Sequence, residues 1–419
     1  MADTNEGKEI LGQLQEKGVR IPCPESIEIG PDVSPGRISG DNVTIHAGCK
    51  LFGPDTLIMA GSQIGYEAPV TISNCQLGRD VRLNGGFFDG STFLDNSSMG
   101  SGAQIREACL LEEGARGAHA VGLKHTILFP FVTLGSLINF CDCLMTGGTD
   151  EKNHSEVGSS YIHFNYTPNQ DKATPSLIGD IPRGVMLNQP PIFLGGQGGI
   201  VGPVMLEYGT IVAAGTIVRK DLLKRDVMLL GHTSLSKTMS FQPGIFSNLR
   251  RIVRLNTIYI SSLIALKRYY LDVRSRFMKG DDMETALHKG AVEKLELAIA
   301  ERLKRLGSVA ERMPRSIELY KKAAGTPSEK AILKKKEFYE NFQEIEQTFK
   351  ESFNKIGDPE KRDGFLETIE KGIARNGIDY IAVIKGLNEE EVNTGVLWLQ
   401  ELVDEISRKT WSQLPSLGI

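Results

Sequence analysis

The sequence predicts a β-solenoid over roughly residues 25–240 followed by an α-helical part over 241–419. Three observations carry that expectation. A six-residue phrase recurs from residue 27 onward, each copy opening on an aliphatic residue. Glycine is concentrated early, with 33 of the 45 glycines falling before position 241. Charge divides at the same place: residues 1–240 hold 18 Lys+Arg against 25 Asp+Glu (net −7), and residues 241–419 hold 30 against 27 (net +3). A chain of 419 residues has room for two domains, and two architectures joined near position 240 account for the asymmetry.

Residues 1–24 form a polar segment with helical character, and "MADTNEGKEILGQLQEKG" lacks the apolar core of a secretion signal, so a cytoplasmic location is expected. From residue 27 come "IGPDVS", "IHAGCK", "IGYEAP", "LGRDVR", "MGSGAQ", "VGSSYI", "VGPVML" and "VAAGTI". A period of six is neither the 3.6 of a helix nor the 2 of a simple strand. It suits short strands joined at sharp corners, where glycine or asparagine accepts a positive φ. One such coil cannot bury its own apolar face, so coils stack. After "GHTSLSKTMSFQPG" the phrase stops. "IFSNLRRIVRLNTIYISSLIALKRYYLDV", "METALHKGAVEKLELAIAERLKRL", "SEKAILKKKEFYENFQEIEQTFKESFNKI" and "EEEVNTGVLWLQELVDEISRKTW" then repeat apolar residues at helical spacing.

Two polar stretches interrupt the count, "TGGTDEKNHSE" (146–156) and "HFNYTPNQDKATPSLIGD" (163–180). Interruptions of a solenoid map to loops, often on a binding face, so both are expected to border one groove. The glycines of "LGGQGGIVGP" are read as corners, because no P-loop lysine follows them. "NQPPIF" reads as a rigid extended edge of that groove.

Repeats of [LIV]-G-x-x-x-x type resemble the hexapeptide acyltransferase superfamily, and the resemblance implies a left-handed parallel β-helix. The second interruption, with "GGIVGPVMLEYGTIVAAGTIVRKD", resembles more narrowly the C-terminal acetyltransferase domain of the bifunctional enzymes that make UDP-N-acetylglucosamine. That resemblance implies acetyl transfer from acetyl-coenzyme A to an amino-sugar phosphate or nucleotide-sugar in a homotrimer. It implies that Asn165, Tyr166 and Lys172 contact the phosphosugar, with Lys124 and Arg116 as further phosphate cations from preceding coils. Ala213, Ala214 and Gly215 would lie against the pantetheine arm, and Arg219 and Lys220 would meet coenzyme A phosphates. The nucleotidyltransferase glycine-rich loop of that family does not occur in this sequence, so pyrophosphorylase activity is not expected. The family's catalytic histidine has no counterpart either, since its position falls on Gly148 or near Asn139 and Phe140, none of them a base.

Acyl transfer from a thioester needs a base for the acceptor proton and donors for the oxyanion. Histidine suits the first role. His154, on the first interruption beside Glu156, is the leading candidate, with Glu156 or Asp150 to orient it; His163 is the second. No metal is expected. Cys141 and Cys143 form a CxC without companions, and His119 and His125 miss the His-x4-His spacing of γ-type carbonic anhydrases. The net charge of −4 argues against nucleic acid, and no apolar run reaches a membrane span. The principal alternative is a non-catalytic scaffold that retains a sugar-phosphate groove.

Overall fold

A chain with one aliphatic residue every six positions buries them only by stacking. It does so in a computed structural model that describes residues 4–231, 238 and 241–419; position 240, the expected boundary, lies outside these. Most of the strands are two to four residues long and, outside one short antiparallel hairpin, pair in parallel with strands of adjacent coils. They build three faces. Face 1 runs from Glu28–Ile29 to Ile217–Val218, face 2 from Leu57–Ile58 to Met205–Leu206, and face 3 from Thr44–Ile45 to Met228–Leu229. Two longer strands, Gly122–Leu128 and Asn139–Met145, run through faces 1 and 2 without a break and join them into one sheet.

Register explains the repeat. On face 1 the residues stacked inward are Ile29, Leu51, Ile72, Phe88, Ile105, Leu123 and Phe140, each opposite its counterpart one coil away. All are buried. The corner between faces 1 and 2 repeats a left-handed backbone residue in successive coils: Gly53, Asn74, Gly90, Ala108, His125 and Asp142, with φ from 47° to 87°. Glycine or asparagine, which tolerate this region best, occupies three of the six positions; His125 and Asp142 hold the conformation within strands that the sheet on either side imposes.

Ten helices occur among the described residues. Helix α1 (Thr4–Glu16) packs on the first strand, and α2 (Ile181–Gly184) sits in the corner between faces 2 and 3. The rest follow the β-helix: α3 (Leu249–Asp272), α4 (Asp282–Glu311), α5 (Met313–Ala323), α6 (Glu329–Glu340), α7 (Phe342–Ser352), α8 (Pro359–Asn376), α9 (Tyr380–Lys385) and α10 (Glu389–Trp411). Side-chain caps from Asp281, Ser328, Asp358, Asp379 and Asn388 begin α4, α6, α8, α9 and α10.

These helices cover face 2. Most of its strands are apolar at both positions, as in Leu110–Leu111, with Gln76 and Thr92 the polar members of the outward line, so most side chains that point outward need burial as much as those that point inward. Leu57, Leu110, Ile127, Leu144 and Leu177 form this outward line and are buried. Helix α4 lies against the four strands from Leu57–Ile58 to Leu110–Leu111, and α3 against Ser176–Ile178. The approach is close enough that a Cβ on Gly290 of α4 would meet the Gln76 amide oxygen at 2.5 Å.

Ion pairs fasten both edges of the covered face. At the edge toward face 3, Arg274 makes two hydrogen bonds to Glu113 (2.5 and 2.9 Å) and lies 3.3 Å from Glu112, which accepts from Tyr270 Oη at 2.5 Å. Arg79 pairs with Glu284 at 2.6 Å nearby. Removing one partner of a buried pair leaves the other charge uncompensated. Arg274→Met therefore strands two adjacent carboxylates, and urea unfolding should show a loss on the order of 3–5 kcal/mol. A loss below about 1 kcal/mol would show that this edge does not hold the helices.

Candidate functional site

The two interruptions leave the β-helix at different edges. Residues 146–156 follow the face 2 strand ending at Met145 and fold into a hairpin, Gly148–Asp150 against Asn153–His154, before face 3 begins at Glu156. Residues 165–175 leave face 1 at Phe164 and enter face 2 at Ser176. The helices occupy the face between. Asn165 lies beside Asp142 and His154 pairs with Gly148, so six residues of largely extended chain, on the order of 15–20 Å, separate the two loops. The common groove expected from sequence is not formed.

Consequently His154 does not stand over the Asn165 loop. Its Nδ1 lies 2.9 Å from the Glu151 carbonyl oxygen and its Nε2 4.0 Å from Glu156. Asp150 does not orient it, because its oxygens accept from Thr149, the backbone of Lys152 and Asn153, and Lys385. His163 is corrected as well. It occupies the inward line of face 1, next in register to Phe140 and opposite Ile200, 2% exposed. Its Nε2 lies 2.7 Å from Ser176 Oγ, and burial pushes its pKa down to about 4 against a smaller upward pull from Asp142. Such an imidazole is a neutral core group. Arg116 projects from face 3 toward Glu151 (3.4 Å) and does not join Lys124 on face 1. "NQPPIF" lines no shared groove; Gln189 pairs with Gly148 at the hairpin.

What does gather at the edge between faces 1 and 2 is a polar cluster. Asn165 Nδ2 donates to Asp142 Oδ2 at 3.2 Å, and Arg302 of α4 donates to Asp142 Oδ1 at 2.6 Å. Lys172 is exposed, while its carbonyl accepts from Arg302 Nη1 at 3.0 Å. Tyr166 is 57% exposed. Cys141 reports on the local field: burial and Asp142 raise its pKa to about 11, opposed by Lys124, Lys172 and Arg302. Lys124 is in register with Cys141, one coil away on face 1, and Lys172 belongs to the loop whose Asn165 meets the adjacent Asp142.

Face 1 carries a shallow depression of about 520 Å³ beside this cluster, lined by Gln104, Arg106, Gly122, Lys124, Asn139 and Cys141. Lys124 pairs with Glu107 at 2.6 Å. Arg219 and Lys220 follow the last face 1 strand and are exposed at the same edge as the loop, two coils away, about 10 Å. At the opposite edge, where face 3 turns into face 1, small residues line successive coils; Ala213, Ala214 and Gly215 belong to this corner. His119 lies there too, its Nδ1 3.0 Å from Ser136 Oγ, and the residues that follow each, Ala120 and Leu137, line the depression.

Sequence reasoning missed Asp142, Arg106, Arg302 and the His119–Ser136 pair. A clue existed for Arg106 and Lys124, which lie eighteen residues apart, one coil. None existed for Arg302, since its partner is 160 residues away. Among the described residues no group of three His, Cys, Asp or Glu is arranged to hold a metal; His119 and His125 lie at opposite ends of face 1.

No protein-family model matches the chain. Among known proteins, the "Bifunctional protein GlmU" of Pelobacter propionicus is 27% identical over 216 residues, covering 51% of this chain and 42% of that one. That of Nitratidesulfovibrio vulgaris is 26% identical over 220 residues (51% and 41%), and that of Acinetobacter baumannii 25% over 244 (56% and 47%). The chain spans less than half the length of the relatives it matches. The hexapeptide repeat, the parallel β-helix and the likeness to these proteins fit a hexapeptide-repeat acyltransferase. Within that class the chain resembles the C-terminal domain of GlmU, to which it is a distant relative.

Burial of His163 and, to a smaller degree, of His125 lowers both pKa values. Below about pH 6.5 the unfolded chain takes up a proton that folded His163 refuses until about pH 4, so stability present above pH 6.5 is lost across that window. His163 alone accounts for a loss on the order of 3 kcal/mol. Unfolding free energy measured from pH 7 to pH 4 should fall with this slope, and His163→Gln should flatten it. An unchanged slope in the variant would contradict a neutral, buried His163.

Proposed function

We propose that the outer surface of face 1 is an acyl-transfer site, taking acetyl-coenzyme A as donor and an amino-sugar phosphate or nucleotide-sugar as acceptor. The observation that carries the reading is that Lys124 lines the face 1 depression at the edge from which the loop bearing Asn165, Tyr166 and Lys172 departs beside Asp142. Two ammonium groups and an exposed tyrosine suit a phosphosugar, since a phosphate needs cationic donors and a sugar needs a flat partner. Arg106 adds a third cation.

In this reading the donor's pantetheine arm runs along the corner of small residues that includes Ala213, Ala214 and Gly215, and its phosphates meet Arg219 and Lys220. The acceptor amine attacks the thioester carbonyl, the C–S bond breaks, and coenzyme A leaves as the thiol after taking a proton. His154 and Glu156 lie across face 2 from this chemistry. His119 is instead the imidazole bordering the depression, and Ser136 orients it. Neither metal nor pyrophosphorylase chemistry is part of the proposal.

Homotrimer formation belongs to the same reading. Face 2 is spent on the chain's own helices, so subunit contacts fall to faces 1 and 3. Face 3 presents Phe193, Ile211 and Met228 in one register line, 41%, 40% and 59% exposed. A thioester donor also agrees with the cytoplasmic location expected from sequence; no helix among the described residues is long and apolar enough to cross a membrane.

The second reading, a phosphosugar-binding scaffold without catalysis, is favoured by one observation: neither imidazole predicted from sequence faces the loop. Purified protein given acetyl-coenzyme A and glucosamine-1-phosphate should release thiol. Lys124→Ala and Lys172→Ala should each raise the acceptor KM about 10- to 100-fold. His119→Ala should lower kcat while His154→Ala leaves it unchanged. Ligand-induced thermal stabilisation with no thiol release from any amino-sugar would select the scaffold.

A further inference from the structure

The 165–175 loop is held partly by itself, where Thr167 Oγ1 donates to Asp171, Asn169 N to Thr167 Oγ1 (3.2 Å) and Ala173 N to Asp171 Oδ1 (3.3 Å), and partly by the helical part. Two backbone hydrogen bonds lie within it, Thr167 N to Asp171 O (3.2 Å) and Gln170 N to Thr167 O (2.8 Å). Four of its other carbonyls accept from the helical part, that of Lys172 from Arg302 among them. Arg312 Nη1 donates to the carbonyls of Asn169 and Gln170, both at 2.8 Å, and Asn256 Nδ2 to that of Ala173 at 3.0 Å. The backbone N–H of Gly244 donates to Asn169 Oδ1 at 2.9 Å.

Arg302 is the centre of this arrangement. One guanidinium reaches the coil below through Asp142, the start of the loop through the Asp142–Asn165 bond, and the end of the loop through the Lys172 carbonyl. Both side chains of the pair are withdrawn from water, Arg302 2% and Asp142 3% exposed. A planar, two-pronged donor bridges these groups in a way that one ammonium does not.

We propose that the helical part positions the candidate ligand loop: Arg302 of α4 holds residues 165–175 against the β-helix in the conformation that presents Tyr166 and Lys172 outward. Affinity at the loop is then set from α4. The affinity half of this inference rests on the proposed phosphosugar reading; the conformational half does not. Arg302 acts through Asp142 and the loop backbone and is a positioning residue.

Hydrogen exchange separates a brace from general stability. In Arg302→Met the amides of 165–175 should exchange at least tenfold faster, while those of the Leu110–Leu111 strand are unchanged. Arg274→Met removes a buried arginine at the far edge of the same face and is the matched control. It should lower thermal stability comparably and leave the loop protected. Arg302→Lys should fall between wild type and Arg302→Met, and carries the comparison if the methionine variant does not fold. The dissociation constant for glucosamine-1-phosphate should rise about tenfold with loop exchange. Unchanged loop exchange in the Arg302 variants, or equal acceleration in Arg274→Met, overturns the brace. Faster exchange with unaltered affinity overturns the link to binding. A wild-type protein that does not bind glucosamine-1-phosphate overturns the phosphosugar reading and the affinity half with it, while exchange still decides the brace.

Discussion

Burial of the outer side of face 2 is the constraint from which the rest of the molecule follows. A β-helix normally needs one apolar residue per strand, the one that points inward. Here Leu110, Ile127, Leu144 and Leu177 point outward and are equally apolar. Left in water they would form a continuous apolar stripe, which a soluble chain does not tolerate as a bare surface. Helices α3 and α4 remove it, and because they lie on the sheet rather than beyond its end, the helical part and the β-helix share one hydrophobic core.

That placement sorts the polar residues by edge. Arg79, Glu112, Glu113, Tyr270, Glu284 and Arg274 fasten the side toward face 3, and Asp142, Arg302 and the 165–175 loop the side toward face 1. Each edge pairs charges that neither half of the chain accommodates alone. The Arg302–Asp142 and Arg274–Glu112 pairs are withdrawn from water, so orientation matters as much as charge sign there, and arginine is the cation at both. The two loops that a linear count sets close together end on opposite sides of a covered sheet.

Covering face 2 also decides what remains for function. Faces 1 and 3 and the corner between them stay open. The open side holds the small-residue corner with its exposed His119, the shallow depression, and the lysines at its far edge. The imidazoles elsewhere are spent differently: His163 as core, His154 on a hairpin that Lys385 and Arg116 tether through Asp150 and Glu151. In the proposed acyl-transfer reading, binding and proton transfer fall to residues from separate corners, a division that suits two substrates approaching one face from either side.

Local periodicity made the β-helix, its corners and the helices readable without coordinates, because each of these depends on residues a few positions apart. The inward aliphatic line, the glycine and asparagine corners, and the presence of both interruptions were all of this kind. What the sequence did not determine is angular position. An insertion hides which face resumes after it, so the edge from which 146–156 departs and the inward placement of His163 emerged only from register. Nor does a linear chain announce that Arg302 meets Asp142, or Tyr270 meets Glu112, across 160 and 158 residues. Those pairings exist because burial brings two distant groups to one dry edge, and only the packed structure decides which groups they are.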